Sequence, residues 1–277
     1  MQEVSLKMRF PMLTRRAALL FAALALAGCS SLGGKPDAAA EPIHVMTSGG
    51  FTAAYNELTP GYEKTSGRKV QTAYGASMGA ASDSIPSRLA RGEPADIVIL
   101  ARPALDALVK EGKVMSGSQV DLVRSSIGFA VRTGAPKPDI STVDALKRTL
   151  LAAPSIAYSA SASGAYYETE LLKKLGIEDQ VKPKSRRILS ERVGTVVARG
   201  HAALGLQQVS ELLPIKGIDY IGPLPAEVQR VTVFSAGIAT GSKQPEAARQ
   251  LIRYLNSPTA APVIERTGLE AITARGP

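Results

Sequence analysis

From residue 43 onward the chain alternates short apolar runs, rich in β-branched residues, with longer segments whose apolar residues recur every three or four positions. The short runs include HVMTSGG, KVQTAYG, ADIVILA, SIGFAVR, SIAYSAS, ALGLQQV, IDYIG and VTVFSAGIA. Between them Phe51, Tyr55, Leu58 and Tyr62 share one helical face, as do Leu105, Leu108 and Val109, and then Ala248, Leu251, Ile252 and Leu255. Pro103 and Pro245 suit first-turn positions of helices. Such alternation predicts α/β units with parallel strands. A chain of 277 residues, 45% of them hydrophobic, is long enough for one large or two modest cores.

Three of the strands end in small, hydroxyl-bearing turns. They are Thr47-Ser48-Gly49-Gly50, Ala76-Ser77-Met78-Gly79 and Ala160-Ser161-Ala162-Ser163-Gly164. If each turn opens a helix, its first N–H groups lack a partner and carry the positive end of the helix dipole, so an anion can be held without a formal cation. Serine adds a donor, and glycine lets the backbone approach a ligand closely. A serine before a helix is also an ordinary N-cap. The position of all three turns at the carboxyl ends of strands, where open α/β sheets bind ligands, favours a site. The serines are then donors and not nucleophiles.

Other chemistries find little in the chain. The two histidines, His44 and His201, are not placed beside a serine in sequence, and a serine nucleophile needs a base. The single cysteine, Cys29, excludes an internal disulfide and any cysteine cluster, so no metal site and no cofactor is expected. No GxGxxG loop follows a strand and no GxxxxGK[ST] occurs. The formal charge is +9, yet basic residues are scattered and only 5% of residues are aromatic, so nucleic acid is not an expected partner. A small anionic ligand suits the basic excess better.

Cys29 has its own context. LTRRAALLFAALALAGC places Arg15 and Arg16 before an apolar run that ends in small residues at the cysteine. This reads as a signal peptide over 1–28, too short in its apolar part to span a bilayer. Leu26-Ala27-Gly28-Cys29 looks like a bacterial lipobox, with Cys29 lipidated and 29–41 a flexible tether. The expected location is the bacterial periplasm or cell surface, with the membrane as a partner through the lipid.

The strand and small turn before FTAAYNELTPGYEKTSGRKVQTAYGASMG, followed by RLARGEPADIVILARPALDALVKEGKV, resemble the periplasmic molybdate-binding proteins and their wider solute-binding family. GRKVQTAYGAS and GEPADIVI are the most specific pieces, and the likeness runs from Ile43 to Leu269. It implies a two-lobed α/β fold with a ligand cleft between the lobes and two crossover strands, near 125–131 and 231–238. Lobe 1 would comprise 42–124 plus 235–277 and lobe 2 125–234. A monomer that delivers its anion to an ABC transporter permease is also implied.

Carried over by residue, Ser77 matches the second binding loop's serine. Gly50 stands where the family usually has serine, beside Ser48, and Gln208, after Gln207, stands in place of a tyrosine. Ser161, Ser163 and Gly164 replace a proline-containing turn. Glutamines both donate and accept, which suits carboxylates spread along carbon better than a compact tetrahedral oxyanion. The expected ligand-binding set is therefore Ser48, Gly49, Gly50, Ser77, Met78, Ser161, Ser163, Gly164, Gln207, Gln208 and Arg88, for a di- or tricarboxylate in preference to molybdate. Arg91, Arg124, Arg186 and Arg187 are further arginine candidates, and Tyr158 and Tyr166 flank the third loop. The alternative is an enzyme: the family's scaffold also carries aconitate isomerase, which would need a base and acid, and Glu168, Glu211 or Tyr166 are the candidates.

Overall fold

The computed structural model describes residues 41–273. Cys29, the expected signal peptide and nearly all of the expected tether lie outside the described residues.

The described chain builds two sheets. The first contains β1 (Ile43–Thr47), β2 (Val70–Tyr74), β3 (Ile97–Ala101), β4 (Val120–Ser125), β10 (Thr232–Ile238) and β11 (Glu270–Ala271), in the order β11-β4-β10-β3-β1-β2. The second contains β5 (Ile127–Arg132), β6 (Ile156–Ser159), β7 (Ser185–Ile188), β8 (Leu204–Gln208) and β9 (Ile218–Pro223), in the order β7-β6-β8-β5-β9. In chain order the helices are α1 (Gly49–Ser66), α2 (Ile85–Ala90), α3 (Arg102–Lys110), α4 (Val143–Ala152), α5 (Ala162–Tyr166), α6 (Glu178–Val181), α7 (Val193–Ala198), α8 (Val209–Leu212), α9 (Pro245–Leu255) and α10 (Ala261–Arg266). A π-helical turn, Tyr167–Leu171, continues α5 into Leu172–Lys174.

Each sheet is covered on both faces, which is why its central strands read as unbroken apolar runs. All five residues of β3 are buried. One face of the first sheet packs Phe51, Tyr55, Leu58 and Tyr62 of α1 with Leu251 and Leu255 of α9, and the other packs Ile85, Leu89, Leu105 and Leu108. Burying one such side chain fully contributes about 1.5–3 kcal/mol. The second sheet holds its own core around Phe129, Leu146, Tyr167 and Leu206, with Val193, Val196 and Val197 of α7 on its other face.

The strands are not all parallel, which corrects the reading from alternation alone. β1 runs parallel to β2 and β3, and β6 to β7 and β8. In contrast, β10 is antiparallel to β3 and β4, and β5 to β8 and β9. The antiparallel strands are those next to the passages between sheets. The chain leaves the first sheet at Ser125 of β4, enters the second at Ile127 of β5, and returns between Pro223 and Thr232. The first passage falls at the expected crossover, whereas the expected second crossover, 231–238, is β10 within the first sheet and the return passage precedes it; a cleft lies between the lobes.

Candidate functional site

A cleft of about 440 Å³ opens between the carboxyl ends of the two sheets' strands. The first lobe supplies Gly49, Thr52 and Asn56 from α1 and its opening turn, and Gly75, Ala76 and Asp83 from the loop after β2. The second supplies Ser159 and Ser161 after β6, Ser190, Glu191 and Arg192 after β7, and Gln207 and Glu211 from β8 and α8. Ser190 Oγ donates to Asp83 Oδ1 across the cleft at 3.2 Å.

Glu211 is the most unusual group in it. Its side chain is buried, and Gln207 Nε2 donates to its Oε1 at 2.8 Å. Burial pushes its carboxyl from 4.5 up to about 7, against the opposing pull of Arg192 and the Gln207 hydrogen bond. The N-terminus of α1 lies against the same carboxylate: a Cβ added at Gly49 would stand 1.9 Å from Glu211 Oε1. Glycine is therefore a condition for Glu211 to occupy this place. Arg192 makes no salt bridge or side-chain hydrogen bond among the described residues, so its guanidinium is not spoken for by a structural carboxylate.

The hydroxyls of the turns have varied fates. Ser48 precedes α1 without capping it; its Oγ is buried and has no partner among the described residues. Ser161 likewise precedes α5 with no side-chain cap. Ser77 Oγ accepts from Ala101 N at 3.0 Å, and its turn does not open a helix, because α2 begins later under the cap of Ser84. Ser163 Oγ pairs with Ser159 Oγ at 3.1 Å.

A protein-family model described as bacterial extracellular solute-binding protein matches residues 43–270. The chain belongs to that family. It is 46% identical over 251 residues to an aconitate isomerase from a Pseudomonas species, covering 90% of this chain and 96% of that one. It is 28% identical over 238 residues to the molybdate-binding protein of Azotobacter vinelandii, covering 83% and 90%. Among solved structures, the periplasmic molybdate-binding protein of Azotobacter vinelandii superposes with a TM-score of 0.66 at 20% identity, covering 84% of this chain and all of that one. That likeness supports the two-lobed periplasmic binding-protein fold.

Against this frame the departures at the expected binding positions acquire physical causes. A Cβ at Gly50 would lie 2.1 Å from the ring of Phe234, so serine cannot stand there while β10 presents phenylalanine. Gln208 points away from the cleft, to the crossovers. With its amide nitrogen facing β4 it donates to Ser125 Oγ at 2.9 Å and accepts from Thr232 Oγ1 at 2.9 Å, tying the end of one passage to the start of the other. Gly164 is packed against the Ser159 carbonyl, 1.7 Å from where its Cβ would be.

Of the residues singled out from the sequence, the cleft brings together Gly49, Ser161, Gln207 and Glu211. Arg88 is engaged elsewhere, in an ion pair with Glu93 at 2.6 Å and a hydrogen bond to the Asp83 carbonyl. Met78 and Tyr166 line a separate hollow with Arg230, and Glu168 acts on the Tyr158 hydroxyl, whose pKa burial chiefly raises. Arg91 pairs with Glu93 and Arg124 with Glu270, while Arg186 and Arg187 are exposed on β7. Arg192 is not among the arginines the sequence singles out. Its signal lies in SRRILSERV: a strand with two exposed arginines followed by a fourth polar turn, which the apolar pattern does not mark. Among the described residues no cluster of three or more His, Cys, Asp or Glu is placed to hold a metal ion, and no helix is long and apolar enough to cross a membrane.

Proposed function

We propose that this protein is an aconitate isomerase, interconverting cis- and trans-aconitate in the cleft between its lobes. The observation that carries the reading is Glu211, a buried carboxyl whose pKa of about 7 lets it both take and return a proton near neutral pH. It faces a cleft with an uncommitted arginine, on a chain 46% identical to a protein of that activity.

Aconitate carries a methylene and a vinyl carbon on either side of a central carbon. Ionised Glu211 removes one methylene proton; the C–H electron pair becomes the new double bond as the old π pair moves to the former vinyl carbon. That carbon then takes the proton back from Glu211. One proton leaves and one returns, so the step balances without oxidant or reductant. Arg192 would hold one substrate carboxylate through its planar fork and stabilise charge as it spreads from carbon into that carboxylate. The opening N–H groups of α1, at Gly49 and Gly50, suit a second carboxylate.

A second reading is favoured by the family itself: capture of a carboxylate for delivery to an ABC-type importer, without turnover. Incubating purified protein with cis-aconitate and following the trans isomer by NMR separates the two. Accumulation of trans-aconitate is expected; saturable binding with no isomer formed over hours establishes the carrier, and tight molybdate binding with no response to aconitate refutes the substrate class.

A further inference from the structure

Gln207 is gripped at both ends. Its Oε1 accepts from the Val193 N–H at 3.0 Å, and its Nε2 donates to Glu211 Oε1 at 2.8 Å. The side chain is buried, so neither bond is traded with solvent. The Val193 N–H is a donor only, which forces the amide oxygen toward it and leaves the amide nitrogen no choice but Glu211. A donor fixed on Oε1 makes that oxygen an acceptor in both charge states, and the exchangeable proton must then ride on Oε2.

We propose that Gln207 is the positioning residue of the isomerisation, fixing which oxygen of Glu211 carries the proton and stabilising the ionised carboxylate that removes one. This rests on the reading of Glu211 as acid and base. Val193 follows Arg192 directly, so the same amide joins the turn bearing the carboxylate anchor to the residue that moves the proton. Substrate grip and proton transfer thereby share one rigid frame. The elements packed around α8 are α1, β5, β8, β9 and α7; α1 presents the backbone of Gly49, β8 presents Gln207, and the charged group acting on Glu211 is Arg192, ahead of α7. Loss of the Gln207 donation therefore leaves burial opposed by Arg192 alone, and the carboxyl must titrate higher.

Two substitutions separate positioning of Glu211 from mere support of the Val193 turn. Gln207→Met removes both hydrogen bonds at similar volume. Gln207→Glu keeps an acceptor for Val193 but, when ionised, offers no donor to Glu211. The measurements are the carboxyl ¹³C titration of Glu211, which needs no turnover, and the pH profiles of kcat and KM for aconitate. Both variants are expected to raise the Glu211 titration, move the acid limb of kcat to higher pH, and lower kcat at neutral pH by about tenfold or more while KM changes less than about threefold. Gln207→Glu with wild-type kcat and pH profile would show a scaffold role and overturn the proposal, as would an unshifted Glu211 titration in a folded Gln207→Met protein. If the wild type binds aconitate without isomerising it, the reaction falls while the titration still decides whether Gln207 sets the proton affinity of Glu211.

Discussion

The two walls of the cleft are built from different chemistry. On the first lobe the group packed against Glu211 is Gly49, at the start of the long helix α1, and the wall continues through Thr52, Asn56, Gly75, Ala76 and Asp83. On the second lobe the wall carries Glu211, Arg192 and Gln207, linked to one another through β8 and the turn into α7. Apart from Asp83, the first wall offers neutral groups of the kind that surround an anion in a solute-binding protein. The second holds groups that can exchange a proton. A carrier needs only the first; the buried, near-neutral carboxyl of the second costs stability, which is the usual sign of a group kept for function.

The sharpest way to break this division is to let the passive wall intrude on the active one. Gly49→Ala puts a methyl group where Glu211 Oε1 now lies, and the carboxyl must move. A displacement of that size is expected to reduce kcat roughly a hundredfold in a protein whose circular dichroism is unchanged. Wild-type kcat would show that Glu211 adapts freely and that the walls are not coupled.

Next in size is the anchor. Arg192→Met removes the uncommitted guanidinium while keeping much of its apolar length, and should weaken aconitate binding by about 1.5–3 kcal/mol, more than roughly tenfold, when followed by calorimetry. Arg88→Met, in the ion pair with Glu93, should leave that affinity within about threefold. Equal effects from the two would remove the distinction drawn here between cleft and scaffold arginines.

A further effect is on stability. The folded carboxyl of Glu211 titrates at about 7, above its ordinary 4.5, so between these values the folded state keeps a proton that the unfolded chain has released. Folding stability contributed by this group is thus present below pH 4.5 and is lost as pH rises through about 7. The difference between wild type and Glu211→Gln in urea unfolding should change by roughly 3 kcal/mol or less across that window, against the wild type at higher pH. A difference independent of pH would place Glu211 at an ordinary pKa.

Much of the fold was legible because its signals are local. Continuous apolar runs marked β3 and β6, and i, i+3, i+4 spacing marked α1 and α9. β4 and β7 were harder: VDLVRS and SRRI mix charge with apolar residues because β7 is an edge strand and β4 is only partly covered. Missing β7 also hid the turn that carries Arg192. The glutamine pair shows a different limit. Successive strand residues face opposite sides, so Gln207 enters the cleft and Gln208 turns to the crossovers, and which is which depends on the register of β8 against β5. Gly50 depends on Phe234, distant in sequence, and no local pattern announces that contact.

If Glu211 moves the proton, one buried carboxyl distinguishes this cleft from a carrier's. Glu211→Gln keeps the shape of the side chain and removes its ability to exchange a proton. Parallel assays of aconitate binding by calorimetry and of cis-to-trans conversion by NMR test the claim most directly. Turnover is expected to fall by about 10²–10⁴-fold with affinity held within roughly tenfold. Turnover by Glu211→Gln at the wild-type rate would contradict it.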